Sequence, residues 1–319
     1  MDKVKFYTNR KNIVLLATLC CGLWGSAYPA IKIGYELFNI VANDIPSKLI
    51  FAGYRFALAG ILLLIMQVIS RKNIFTFGKK DFVQIGWLGA VQTAIQYTFF
   101  YVGMAYASGI SGSIVNGTGT FFSILLAHFI YKNDKLNSNK ILGCIIGFIG
   151  VIIVNLRGGS LLESSFTFMG EGFVMIAAFI LSATGIYSKK ITQNKDATIV
   201  TGYQLFIGGA ILTIVGFVFG GKLIGFNLKS IMLLIYMALL SSVSFAIWAE
   251  LLKYNKVGTI AMFNFSIPVF GTVLSGVFLG ENIFDIKILI ALVLVCVGIF
   301  LVYRVKEEKE ETILENHKC

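Results

Sequence analysis

An all-α membrane protein of ten transmembrane helices, arranged as two inverted five-helix repeats, is the architecture to which three features of this chain point. Apolar runs of spanning length recur between short charged breaks. The second half repeats the first. Positive charge gathers in alternate breaks. The chain is 57% hydrophobic and 13% charged over 319 residues, with a mean hydropathy of +0.82. A soluble chain would carry about a quarter charged residues, and a helix needs roughly 20 apolar residues to cross a hydrocarbon core of about 30 Å.

Taken in order, the runs predict helices over 12–34, 46–69, 82–106, 109–131, 139–156, 171–188, 197–219, 229–252, 257–279 and 286–303. The first follows a basic start and continues past signal-peptide length without a small-x-small cleavage pattern, so it reads as an uncleaved span. Pro29 in the first and Pro268 in the ninth are expected to bend them. Gly109, Gly112, Gly117 and Gly119 crowd the fourth, where small side chains let helices approach closely. The fifth and tenth are both short. Cys20, Cys21, Cys144 and Cys296 lie within spans as small apolar fillers and give no disulfide framework.

The repeat is direct. At an offset of 148, "NGTGTFFSILLAHFIYKNDKLNSNKILGCIIGFIGVIIV" lies over "NFSIPVFGTVLSGVFLGENIFDIKILIALVLVCVGIFLV", placing Asn116 on Asn264, Phe122 on Phe270 and Gly150 on Gly298. At an offset of 149, "GYRFALAG" (53–60) lies over "GYQLFIGG" (202–209). The modules are 12–156 and 171–303, with tails at 1–11 and 304–319; the acidic "EEKEETILEN" of the second tail reads as solvated chain.

Lys and Arg set the orientation. Of 27, twenty fall in the amino tail, the 70–81, 132–140 and 189–195 breaks, Lys253 with Lys256, and the carboxyl tail. Only Lys48, Arg157, Lys222, Lys229 and Lys287 fall on the other side. The positive-inside rule then puts both termini in the cytoplasm, as an even number of spans requires. Five helices per copy is odd, so the second copy enters from the opposite face. Inverted repeats of this kind rock about a central site near the midplane, which is the logic of alternating access.

"LWGSAYPAIKIG" (23–34), "YRFALAG" (54–60) and "SIPVFGTVLSGVFLGE" (266–281) resemble the EamA branch of the drug/metabolite transporter superfamily over about residues 13–303. The first module departs from the pattern, with Thr120 where Pro268 stands in the second and Lys132-Asn133 in place of Gly280-Glu281. The resemblance implies ten helices and a secondary transporter of small polar or amphipathic metabolites, with amino-acid-like solutes and export favoured. The alternative is a channel or a non-transporting membrane scaffold.

Polar groups at membrane depth are costly and mark candidate sites. Arg55 either snorkels outward or faces a cavity, where it binds a carboxylate or pairs with Glu36. Lys32 is close enough to the outer end of its span to reach headgroups. Gln92 and Gln96 share a helical face; Asn116 and Asn264 hold matching places. These amides either bond between helices or orient a zwitterion. Trp24 and Tyr28 lie one turn apart, and Trp248 sits in the inner half of its span; each offers a packing surface or an aromatic wall for a solute. Glu250 is a candidate proton-coupling group, the partner of an organic cation, or half of a local pair with Lys253. His128 reads as interfacial.

Other classes are disfavoured. No G-x-x-x-x-G-K-[ST] loop occurs, so no Walker ATPase is expected. Without a His-x-x-Glu-type pair or a carboxylate pair in the spans, neither catalysis, nor a metal, nor a cofactor is expected. The +11 net charge is spread between spans, which argues against nucleic acid. The expected partners are a small-molecule solute and the bilayer of the cell (plasma) membrane, which the chain crosses in several passes.

Overall fold

A computed structural model describes residues 3–130, 136–154, 156–157, 160–164, 166–255, 260, 262–298 and 300–301. Lys132-Asn133, Lys256, residues 257–259 and the carboxyl tail lie outside them. The described chain is helical apart from a short antiparallel ladder, Leu156–Arg157 with Ser160–Ser164. After the short α1 (Lys3–Thr8) come α2 (Arg10–Leu37) and α3 (Ile45–Ile69). Next, α4 (Lys79–Leu88) runs through a π-helical segment, Gly89–Ile95, into α5 (Gln96–Tyr106). Then follow α6 (Gly109–Asn116), α7 (Thr118–Ile130), α8 (Ser138–Val154), α9 (Phe173–Thr192, entered through a π turn, Phe168–Gly172), α10 (Ala197–Val218) and α11 (Leu228–Tyr254). Helices Ser266–Leu279 and Ile286–Gly298 complete the fold.

Six helical stretches are long and apolar enough to cross a membrane: Arg10–Leu37, Ile45–Ile69, Gly109–Ile130, Phe168–Thr192, Ala197–Val218 and Leu228–Tyr254. Their starts are capped by local side chains. Asn9, Asp44, Ser108, Asp196 and Asn227 each accept a backbone N–H of the first turn, which satisfies donors that a helix cannot satisfy itself. Pro29 lies inside α2. Pro268 instead stands in the first turn of Ser266–Leu279, after a 3₁₀ turn at Met262–Phe265. There its missing N–H costs no helical bond, so it starts this helix rather than bending it.

The core is a close crossing of α3 and α10. A Cβ on Gly53 would stand 2.8 Å from the Gly209 carbonyl, and one on Gly60 would stand 2.6 Å from that of Gly202. The same closeness joins α8 to Ile286–Gly298, where a Cβ on Gly150 would meet the Ala291 carbonyl at 2.8 Å and one on Gly298 the Gly143 carbonyl at 2.5 Å. Backbones approach this way only where side chains are absent, and dispersion across such contacts drives helix association in lipid. Gly60→Ala is therefore expected to lower stability by about 1–3 kcal/mol through overpacking. Gly86→Ala, with nothing within 4 Å of the added carbon, is expected to gain slightly from helix propensity. Thermal unfolding in detergent checks the opposite signs.

Charges tie the ends predicted to be cytoplasmic. Lys72 pairs with Asp196 at 2.6 Å and Lys195 with Asp81 at 2.9 Å. Burial would raise the Asp196 carboxyl, but the hydrogen bond and charge of Lys72 outweigh it and hold it below its ordinary range. The Lys195 hydrogen bond likewise lowers Asp81. At the other end Lys48 is wholly buried, with Nζ donating to the carbonyls of Val41 and Ala42 at 2.9 and 2.5 Å. It serves the chain turn after α2 rather than a solvated loop.

Candidate functional site

Arg55 sits on α3 beside the crossing with α10, and only 1% of its surface is exposed. It does not snorkel. Its Nε donates to Ser241 Oγ on α11 at 2.7 Å and Nη1 donates to the Tyr101 hydroxyl on α5 at 3.1 Å, with the guanidinium 4.8 Å from the Phe56 ring centroid. Among the described residues no carboxylate forms an ion pair with it, Glu36 included. A buried guanidinium held only by hydroxyls and rings keeps unspent affinity for an anion, since buried charges are normally paired.

A row of rings leads away from this cation. Tyr101 lies 6.2 Å from Tyr97, Tyr97 5.9 Å from Phe100, and Phe100 5.8 Å from Tyr28. Tyr97 also packs on Phe56 at 4.1 Å. The Tyr28 hydroxyl interacts with the Asn116 side chain, and Asn116 Oδ1 is left buried without a partner. Gln92 Oε1 and Gln96 Oε1 are likewise buried and unpartnered. Both belong to the Gly89–Ile95 π segment and the first residue after it. A π turn advances by more residues than an α turn, so Gln92 and Gln96 do not stack as an i, i+4 pair would, and such segments recur at functional sites. Buried, bare acceptors are costly in a folded chain and invite a donor.

Trp24 and Trp248, on α2 and α11, meet edge to face at 4.9 Å, with Phe245 5.6 Å from Trp24. Trp24 Nε1 is buried without a partner. Asn264 is half-buried on the 3₁₀ turn, and Asn116 Oδ1 accepts no hydrogen bond from it. Among the described residues Lys32 makes no ion pair; the carboxylates acting on it are Glu281, Glu171 and Glu36. Both Glu281 oxygens accept backbone N–H groups at the start of α6, from Gly109 and Ile110, at 2.8 Å. His128 Nδ1 accepts from the Leu136 amide at 3.0 Å and so joins α7 to the turn before α8.

Glu250 does not pair with Lys253, whose Nζ donates to the Lys195 carbonyl at 2.5 Å. Its Oε1 meets Lys3 Nζ at 3.4 Å and accepts from Thr198 Oγ1 at 3.1 Å, while Oε2 is buried and bare. The residues that sequence reasoning missed are thus the partners: Tyr101, Ser241, Thr198 and Lys3. Each is an ordinary residue for its segment, and only the fold gives it a role.

The family model described as the EamA-like transporter family matches this chain twice, at residues 11–156 and 168–304. Among curated relatives, an "Uncharacterized transporter in sor 3'region" of Acidianus ambivalens is 26% identical, over 70% of this chain and 81% of the relative. The "Uncharacterized transporter YoaV" of Bacillus subtilis (strain 168) is 24% identical over 88% and 92%. A "Probable amino-acid metabolite efflux pump" of Salmonella typhimurium is 23% identical over 90% and 93%. A solved crystal structure shares the fold with a TM-score of 0.70 at 16% identity, covering 95% of this chain and 100% of that one. Matched in both halves, this multi-pass chain of apolar helices belongs to the EamA-like transporter family and is a membrane transport protein.

Proposed function

We propose that the protein is a secondary transporter that moves small zwitterionic metabolites, amino-acid-like solutes first among them, out across the cell membrane by alternating access between two inverted five-helix modules. The observation that carries the solute class is Arg55, a buried cation held, among the described residues, by neutral groups. At the far end of its aromatic row Asn116 offers a bare acceptor, and Gln92 and Gln96 offer two more. A carboxylate on the guanidinium would complete the buried cation, an ammonium would complete a bare amide oxygen, and the ring faces suit the apolar part of a solute. The efflux role and amino-acid metabolites in the name of the Salmonella relative favour the same class and direction.

Ten spans follow if Lys79–Tyr106, Ser138–Val154, Ser266–Leu279 and Ile286–Gly298 join the six long stretches. Several contacts support the inverted relation. By the repeat alignment Gly202 is the counterpart of Gly53, and Gly209 of Gly60. Gly53 approaches Gly209 while Gly60 approaches Gly202, a reciprocal pattern that a two-fold axis generates. Gly150 with Ala291 and Gly298 with Gly143 repeat it.

Both termini are expected in the cytoplasm. Reporter fusions at residues 8 and 312 should both read as internal, and two external signals would sink the topology together with the inverted repeat. The function itself is tested by counterflow of a radiolabelled L-amino-acid pool in proteoliposomes. Saturable, trans-stimulated exchange is expected; unsaturable flux would indicate a channel, and no flux would leave a scaffold.

A further inference from the structure

Arg55 has a counterpart in the second module. At the 149-residue offset it falls on Gln204, and at 148 Thr93 falls on Ser241. The contacts correspond as well. Arg55 Nε donates to Ser241 Oγ at 2.7 Å, and Gln204 Nε2 donates to Thr93 Oγ1 at 3.4 Å. Each joins one module to the other, in opposite senses. Arg55 and Gln204 both lie between the two glycine contacts of the α3–α10 crossing. They therefore stand at the same level as the crossing, where inverted repeats carry their central site. Gln204 is 3% exposed and Thr93 wholly buried.

Resting on the solute reading above, we infer that Gln204 and Thr93 form a second, neutral subsite for the same solute, the inverted image of the cationic Arg55–Ser241 subsite. The single departure from symmetry, arginine facing glutamine, sets the orientation of the bound molecule. The carboxylate takes the Arg55 end. The amino group takes the Gln204 end; Gln92 and Gln96, with their bare oxygens, belong to the same continuous helical run as Thr93. Two arginines here would place like charges together in a low-dielectric interior, and two glutamines would leave no preference for an anion.

The test is the exchange R55Q/Q204R, compared with R55Q alone. Binding of a radiolabelled L-amino-acid pool to purified protein is measured with competition by the same pool and by the corresponding L-amino-acid amides, which lack the carboxylate. R55Q is expected to weaken binding by at least about tenfold, the scale of a lost charge-assisted bond, and to abolish the preference for acids over amides. The exchange should restore that preference and recover most of the affinity, because the cation regains an equivalent place beside Thr93. If R55Q leaves the preference intact, the role given to Arg55 is wrong. If R55Q loses it and the folded, monodisperse exchange variant stays at the R55Q level, the second subsite is overturned while Arg55 keeps its role. Should the exchange variant not fold, Thr93→Val decides. It is expected to weaken binding several-fold, in line with one lost hydrogen bond, with the acid preference kept, and unchanged affinity overturns the inference.

Discussion

Arg55→Gln is expected to cut saturable transport of carboxylate-bearing solutes by about 10–100-fold while the protein remains folded in the membrane. The size follows from a bond to a charged group in a dry site, worth about 1.5–3 kcal/mol, with each 1.4 kcal/mol a factor of ten. The retention of fold follows from the partners. Ser241 Oγ and the Tyr101 hydroxyl accept from Arg55, and a glutamine amide can donate to such oxygens. Nor does removal of the charge strand a buried carboxylate, because none is paired with Arg55 among the described residues. Breaking a buried ion pair would have cost about 3–5 kcal/mol, and that penalty is absent here. The variant thus separates the two roles open to a buried arginine. A structural role predicts lost protein with little change per molecule, and a binding role predicts normal protein with weak transport. Wild-type kinetics in Arg55→Gln would end the case for an anion site. The fall should also depend on the solute, with amides and amines much less affected than acids.

What could be read from the sequence is what local chemistry fixes. Spans are set by run length and composition, so the expected 46–69 and 197–219 lie within a residue of α3 and α10. The expected 171–188 becomes a helical stretch from Phe168 to Thr192, longer at both ends because Thr167 caps it with its side chain and no proline stops it. The π segment at Gly89–Ile95 has no mark in the sequence. It accompanies a tertiary contact, since a Cβ on Gly89 would meet the Gln204 carbonyl at 2.8 Å. Among the polar candidates, the sequence located the expensive groups but not their company. Arg55 and Ser241 are 186 residues apart, and Lys3 and Glu250 are 247 apart. Lys253 was the obvious partner for Glu250 at one turn's spacing, yet a lysine chain is long enough to choose the Lys195 carbonyl.

Glu250→Gln is expected to abolish accumulation driven by a pH gradient while leaving exchange down the solute's own gradient intact. The carboxylate sits near the end of α11 that the charge distribution assigns to the cytoplasm and is 3% exposed. One oxygen is shared by Thr198 and Lys3, and Lys3 is itself half exposed on a six-residue helix that buries none of its side chains. The other oxygen is buried with no donor. A permanent structural ion pair would have both oxygens satisfied, as Glu281 has at the start of α6. A neutral side chain here would give up the ion pair with Lys3, one of three ties between α1 and the end of α11, beside the Tyr7–Tyr254 stack at 5.7 Å and the hydrogen bond from Asn255 to the Tyr7 carbonyl. One pH unit is worth about 1.4 kcal/mol per proton, so coupling of one proton to one solute allows up to about tenfold accumulation in inside-out vesicles. Glutamine fixes the group neutral at nearly the same size, so the variant should fall to the level reached without a gradient. Counterflow should persist, because it needs the moving parts but no net proton. Full accumulation in Glu250→Gln would leave this carboxylate as a fastening for α1, with coupling to be sought elsewhere.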